Sequence, residues 1–273
     1  MIFYTVDWSG RREDSCGSTG QGRPRRRYSA EEAPRHARGK QSAWSANQQL
    51  SLTKGVFMMI INILAGGPED LLPNLKEYEG KNTLWVGVDR GVFHLLNRNI
   101  SPVIAFGDFD SVSPEELQFI ERKVEELKRF KPEKDETDME LALNWALEQN
   151  SEKIRIFGAT GGRLDHLFAN VQLLLNPLRA KKAADICLID RNNLLFLKEP
   201  GTYTINKMKA EKYISFVPLT LNVSGITLEG FKFPLKNQHI SLGSTLCISN
   251  ELISDYGTFS FSEGILIVIR SHD

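Results

Sequence analysis

The chain has 273 residues, with 34 Lys+Arg balanced by 34 Asp+Glu, so no global field draws it to nucleic acid or to an anionic membrane surface. Hydrophobic residues make up 41% and charged residues 25%, ordinary values for a folded chain of one large or two modest domains. No apolar run approaches the roughly 18 residues of a membrane span, no signal-peptide pattern opens the chain, and Cys16, Cys187 and Cys247 spell neither a disulfide framework nor a zinc site. A cytoplasmic location is therefore expected.

Residues 1–58 carry 10 Lys+Arg against 5 Asp+Glu and show no helical or strand period. They are expected to be a disordered or non-native leader, preferred over a nucleic-acid arm built on RPRRR, with the natural start near Met58-Met59. From there apolar strands alternate with helices. MIINILA (59–65), LWVGVD (84–89), VIAF (103–106), IRIF (154–157) and DICLID (185–190) read as buried strands, and GVFHLLNRN as a short helix. Ser113, Pro114 and Glu116 open a helix expected to reach Arg129. Thr137 and Glu140 make a second capping box, ahead of a helix with Leu141, Ala142 and Trp145 as its inner stripe. The helix after GATGGRLDH is expected to end near Leu175. Beyond Pro200-Gly201 only short strands are expected: TYTI, YISFVP, GITLEG, KFPL, TLCIS, TFSF and ILIVI. The fold class is thus an α/β parallel-sheet N-terminal catalytic domain over 59–198, followed by a small all-β sandwich C-terminal domain over 200–273.

Acidic motifs fall just past the carboxyl ends of these strands, where an open α/β sheet places its ligands. Asp89-Arg90-Gly91 follows the second strand. Gly107-Asp108-Phe109-Asp110-Ser111 follows the third, and alternation points the Asp108 and Asp110 carboxylates the same way. Paired carboxylates suit magnesium, which completes its shell with water and phosphate oxygens. A loop of solvated acids is the plainer alternative. In Lys134-Asp135-Glu136-Thr137-Asp138-Met139-Glu140, capping explains Thr137 and Glu140. Asp138 would serve either a metal or only the helix terminus, Lys134 would touch phosphate, and Asp135 is a nearby supporting acid. Gly158-Ala159-Thr160-Gly161-Gly162-Arg163-Leu164-Asp165-His166 joins a strand to a helix, so its amides and Arg163 can receive phosphate oxygens. His166 would carry a proton or orient its neighbours. Residues 59–273 carry a net charge of −5, so handling a polyphosphate there calls for a metal ion.

In this order, Asp89-Arg90-Gly91, GDFDS (107–111), KDETDME (134–140), GGRLDH (161–166) and SLGSTLCISNE (241–251) resemble the thiamine pyrophosphokinase (thiamin diphosphokinase) family of bacterial type, over nearly all of 59–273. The resemblance implies transfer of a diphosphoryl group from ATP to the hydroxyl of thiamine, with AMP leaving, in a cytoplasmic homodimer that binds thiamine between one subunit's α/β domain and the other's β domain. It implies Mg2+ on Asp108, Asp110 and Asp138, which also form the catalytic set. It places ATP among Asp89, Arg90, Gly91, Lys134, Gly161, Gly162, Arg163, Asp165 and His166, and thiamine beside Thr137, Ser249 and Asn250. Animal members set a tryptophan near the thiamine ring, but no Trp follows Trp145 here; Tyr256, Phe259 or Phe261 would fill that role. Two rivals are a haloacid-dehalogenase-type phosphatase with Asp108 as nucleophile and a non-catalytic nucleotide or thiamine sensor. The first would need a late acidic pair, whereas Asp165 and Asp190 are isolated. The second would not need so many acids.

Overall fold

Apolar runs with period two make the strands of a large mixed sheet in the computed structural model, which describes residues 59–109, 112–124, 126–129, 135–180 and 184–273. Its parallel part comprises β1 (Ile60–Leu64), β2 (Thr83–Val88), β3 (Ile104–Gly107), β4 (Leu127–Arg129), β5 (Lys153–Phe157) and β6 (Asp185–Ile189), in the order β4-β3-β2-β1-β5-β6. Antiparallel strands β7 (Asn193–Lys198), β13 (Leu266–Ser271) and β9 (Tyr213–Pro218) extend it beyond β6. A second, wholly antiparallel sheet has β8 (Gly201–Asn206), β10 (Asn222–Glu229), β11 (Leu235–Ser241) and β12 (Tyr256–Phe261), in the order β11-β10-β12-β8.

Helices cover both faces of the parallel part. On one face Ile61, Ile63, Val86, Val88, Ile154 and Ile156 pack against α3 (Asp138–Glu148) and the region of α4 (Leu164–Leu173) and α5 (Leu175–Arg179). Alternation sends Leu64, Trp85 and Phe157 to the other face, where α1 (Arg90–Asn97) contributes Leu95. There α1 also meets Ile120 of α2 (Pro114–Lys123). The stripe of α3 is Met139, Ala142, Leu143 and Ala146, at i, i+3, i+4 and i+7. That rotates the expected stripe: the two alanines let the helix approach the sheet, and Trp145 is left at the margin against Phe106.

The capping box at Ser113 forms as expected, but α2 stops at Lys123, not Arg129. Val124 turns extended, and Leu127–Arg129 pairs with Ala105–Gly107 as the edge strand β4. Val124 and Leu127 sit three apart, a spacing that fits a helix equally well, so only the pairing partner decides. At Thr137 the hydroxyl accepts from the Glu140 amide. Helix α4 ends at Leu173, and α5 follows it.

The sandwich is built differently from the expectation. Phe216, Leu266 and Val268 of β9 and β13 supply one side of its core, and Ile226, Leu228, Phe259 and Phe261 of the four-stranded sheet the other. Phe216 meets Phe231 and Phe259 at centroid distances of 5.6 and 4.9 Å. The antiparallel strands of the large sheet thus belong to the sandwich as well. Strand β7 was not anticipated, nor was β11, whose residues Lys236 to His239 are exposed and carry no alternation. TLCIS is a turn, not a strand; only Cys247 in it is buried. Cys187 and Cys247 are free thiols, each pushed up to about 11 by burial.

Candidate active site

The chain adds β2, β3 and β4 on one side of β1 and then returns to place β5 on its other side. The carboxyl ends of β1 and β5 are thus a topological switch point, where open α/β sheets place ligands. Ala65 donates its amide to the Phe157 carbonyl at 2.9 Å and Gly67 to the Gly158 carbonyl at 2.8 Å, which ties the two loops together at this edge.

Three acids meet beside it. Asp89 follows β2, Asp108 follows β3 and Asp138 opens α3; one carboxylate oxygen from each lies within 4.8 Å of the others. All three are half-buried. Asp89 stands at the N-cap of α1 and Asp138 in the first turn of α3, where the positive helix ends offset their charge. Asp89 has φ +50 and ψ −127, a sparsely populated conformation that costs on the order of 1–3 kcal/mol and tends to mark functional sites. Phe109 has φ +60 and buries its ring, 3% exposed, under α1 and α2. Gly107 makes the cluster possible: a Cβ there would lie 2.3 Å from Asp89 Oδ1. Hard carboxylate oxygens from three separate elements, drawn together in a half-buried group, are a donor set that fits magnesium.

Asp110 and Lys134 lie outside the described residues, as does Ser111. Asp89, expected to shape a nucleotide pocket, instead shares the acidic cluster. Asp135 is exposed and outside that group. Arg90 pairs with Glu116 at 3.0 Å, and its neighbour Gly91 is buried in the first turn of α1. Gly161, Gly162, Arg163, Asp165 and His166 are all exposed at the start of α4. Arg163 donates from Nε to Asp165 Oδ1 at 3.1 Å and from Nη2 to Oδ2. That guanidinium holds the Asp165 carboxyl well below its usual range, at about 2.

Of the expected thiamine residues, Thr137 directly precedes Asp138 of the acidic cluster, whereas Ser249 and Asn250 lie on the β-sandwich. Thr137 lies at the mouth of a hollow of about 400 Å³ formed with α4 and α5. Ser249, with φ +55, donates its amide to Ser215 Oγ at 2.9 Å. Asn250 is buried, its Oδ1 accepting from the amides of Phe233 and Glu251 and its Nδ2 donating to the Phe233 carbonyl. Its side chain thus clamps two loops together. Of the three candidate aromatics, Phe259 and Phe261 are 2% and 4% exposed inside the sandwich core, so neither can stack on a ligand. Tyr256 is 59% exposed. Sequence reasoning missed Asn170, whose Nδ2 donates to the Ala159 carbonyl at 3.1 Å, and the support that Asp190 gives. A buried Asn four residues beyond His166 was the available signal. The larger cleft, about 430 Å³ and lined by Asp185, Lys198 and Tyr203, includes Phe259 at its wall but none of the expected metal or nucleotide residues.

Fold and site together define a doubly wound α/β protein with an acidic cluster past its strand ends, joined to a β-sandwich. Family models described as "Thiamin pyrophosphokinase, catalytic domain" and "Thiamin pyrophosphokinase, vitamin B1 binding domain" match residues 75–188 and 202–266. Thiamine pyrophosphokinase of Bacillus subtilis is 51% identical over 216 residues, 79% of this chain and 100% of that protein. The crystal structure of thiamin pyrophosphokinase from Geobacillus thermodenitrificans superposes with a TM-score of 0.73 at 54% identity, covering 79% of this chain and 98% of that one. The yeast enzyme shares the fold at 16% identity, with a TM-score of 0.64 over 80% of this chain and 87% of that one. The chain belongs to the thiamine pyrophosphokinase family.

Proposed function

We propose that this chain makes thiamine diphosphate, moving the diphosphoryl group of ATP to the thiamine hydroxyl with release of AMP. The observation that carries this reading is the meeting of Asp89, Asp108 and Asp138 beside a glycine-rich strand-to-helix turn at the sheet's switch point. Magnesium, when bound by Asp89, Asp108 and Asp138, with Asp110 joining them as the resemblance implies, would neutralise phosphate charge. The protein's own work is positioning and electrostatics, as in other phosphoryl transfers. Free amides at the start of α4 receive phosphate oxygens. Arg163 is held by Asp165, itself exposed, and water screens such a surface pair, so its fork can turn to a phosphate. The exposed pairing of Arg90 with Glu116 can be exchanged in the same way. Lys134 would supply a further positive charge.

Geometry also favours a homodimer. Going from β2, which leads into Asp89, across β1, β5, β6, β7, β13 and β9 to Asn250, bridged to Ile214, takes seven strand spacings. At about 4.8 Å each, that is roughly 34 Å along the sheet. One chain cannot bring both ends to a single two-ring molecule, but a second copy can. Exposed Phe233, Ile248, Ile253 and Tyr256 near Asn250, and Leu164 and Phe168 on α4, provide apolar surface for such a contact. Among the described residues no helix is long and apolar enough to cross a membrane, and the buried thiols suit a reducing, cytoplasmic setting.

Incubating the purified protein with Mg2+, ATP and thiamine should give thiamine diphosphate and AMP in equal amounts. ADP with thiamine monophosphate would refute diphosphoryl transfer.

A further inference from the structure

Asp190 follows β6 directly and is 8% exposed, yet it lies outside the acidic cluster. A buried carboxylate persists only where donors surround it. Here its Oδ1 accepts from the amides of Asn192 and Asn193 at 2.8 and 2.7 Å and from Asn193 Nδ2 at 3.0 Å. Its Oδ2 accepts from Thr160 Oγ1 at 2.8 Å. One carboxylate thus shapes the β6–β7 turn with one oxygen and holds the glycine-rich turn with the other.

The same turn supports the glycine-rich segment by a second route. Arg191 donates its amide to the Leu71 carbonyl at 2.7 Å and Nη1 to the Asp70 carbonyl at 3.3 Å. Leu71 and Pro68 lie directly under Gly161: a Cβ on Gly161, whose φ is +76, would come within 2.4 Å of Leu71 Cδ1. Asn170 secures the preceding carbonyl from the α4 side. Residues 159–161 are therefore held on three sides, and among the described residues only the Thr160–Asp190 bond reaches the turn through a charged group.

The geometry points to Asp190 as a positioning residue for the nucleotide: through Thr160 it sets the direction of the glycine-rich turn's free amides, and hence the affinity for the ATP phosphates. This rests on the reading of that turn as the phosphate site. Oriented amides matter only while a phosphate is bound, so the effect falls on ATP and spares thiamine.

The test compares Thr160→Val, Thr160→Ser, Asp190→Asn and the Thr160→Val/Asp190→Asn double variant in the Mg2+–ATP–thiamine assay, with ATP binding followed calorimetrically. Thr160→Val and Asp190→Asn should each raise KM and Kd for ATP about tenfold, the loss of one hydrogen bond to a charged group. The value of kcat and the KM for thiamine should stay within about twofold, since the chemistry and the acceptor are untouched. Thr160→Ser should restore ATP affinity, and the double variant should be no worse than either single one, because both remove the same bond. Unchanged ATP affinity in Thr160→Val, or additive losses in the double variant, would overturn the assignment while the phosphate site stands. A wild-type protein that binds no ATP would bring down both.

Discussion

Replacing Gly107 by alanine sets a methyl group 2.3 Å from Asp89 Oδ1, where 3.0 Å is the closest that real Cβ atoms come. The carboxylate tip must retreat by at least 0.7 Å, and being the end of a side chain it can do so by rotating. Rotation relieves the clash at little cost to folding but withdraws an oxygen from the group it forms with Asp108 and Asp138. A misplacement near 1 Å at a reacting centre costs about 10²-fold in rate, so kcat should fall on the order of 10²-fold. Backbone strain is a separate effect. Gly107 has φ +153, and an L-residue held in such a conformation costs roughly 1–3 kcal/mol, or on the order of 5 °C in Tm for a folded unit of this size. Gly225→Ala is the control: φ is +73, and its Cβ meets Ser262 Oγ at 2.8 Å and Asn237 Oδ1 at 3.4 Å, neither of them a site acid. Both variants should melt a few degrees early, and only Gly107→Ala should lose turnover and need more Mg2+. An assay of AMP release at 25 °C across a Mg2+ titration, beside melting curves, separates the two effects. Near-normal turnover by Gly107→Ala, or an equal loss in Gly225→Ala, would refute the view that Gly107 exists to seat Asp89.

A site shared between subunits predicts complementation: mixed and reassociated, inactive Asp108→Asn and inactive Ser249→Arg proteins should regain about a quarter of wild-type activity, because half the dimers are mixed and each keeps one intact site. Failure to recover any activity, with mixed dimers demonstrated, would place the whole site in one chain. His94 is buried at 4% exposure, with Glu69 at 3.1 Å and the charges of Arg98, Arg90 and Glu116 nearby; burial, the largest influence, lowers its pKa below 6.5. A depressed histidine favours the folded state above the unfolded pKa and weakens it as pH falls through the folded one, so stability should decline from about pH 6.5 downward. In His94→Gln the urea midpoint should change less between about pH 7.5 and 5 than in wild type; an identical slope would remove His94 as the cause.

Much of the fold was legible because its signals are local. Apolar runs marked β1, β2, β3, β5 and β6, and Ser113-Pro114-x-Glu116 marked the start of α2 through groups that bond within one turn. Strand β4 was not legible. Its strand pairing is with β3, far off in sequence, and the residue spacing suits a helix as well. Nor was β11, a polar edge strand whose pairing with β10 is long-range. TLCIS has strand composition yet turns, because the Cys247 carbonyl accepts from the amide of Phe216 and the segment closes on itself beyond it.

The candidate site divides along the same line. Motif order alone named the acids after β2 and β3 and at the start of α3, since a carboxylate at a strand end or helix start is set by its own neighbours. Their meeting was not local: Asp89 and Asp108 are brought together by the β2–β3 register and by the missing side chain of Gly107, and Asp138 by the docking of α3. Phe259 and Phe261 looked available for thiamine until the sandwich buried them, and Asp190 looked isolated until the neighbouring strand end brought Thr160 to it. By itself the sequence determined which residue types stand at each strand end, and with them the family. Tertiary structure decided which of those groups come together, because distances between residues far apart in the chain follow from strand pairing and packing, and no periodicity along the chain records them.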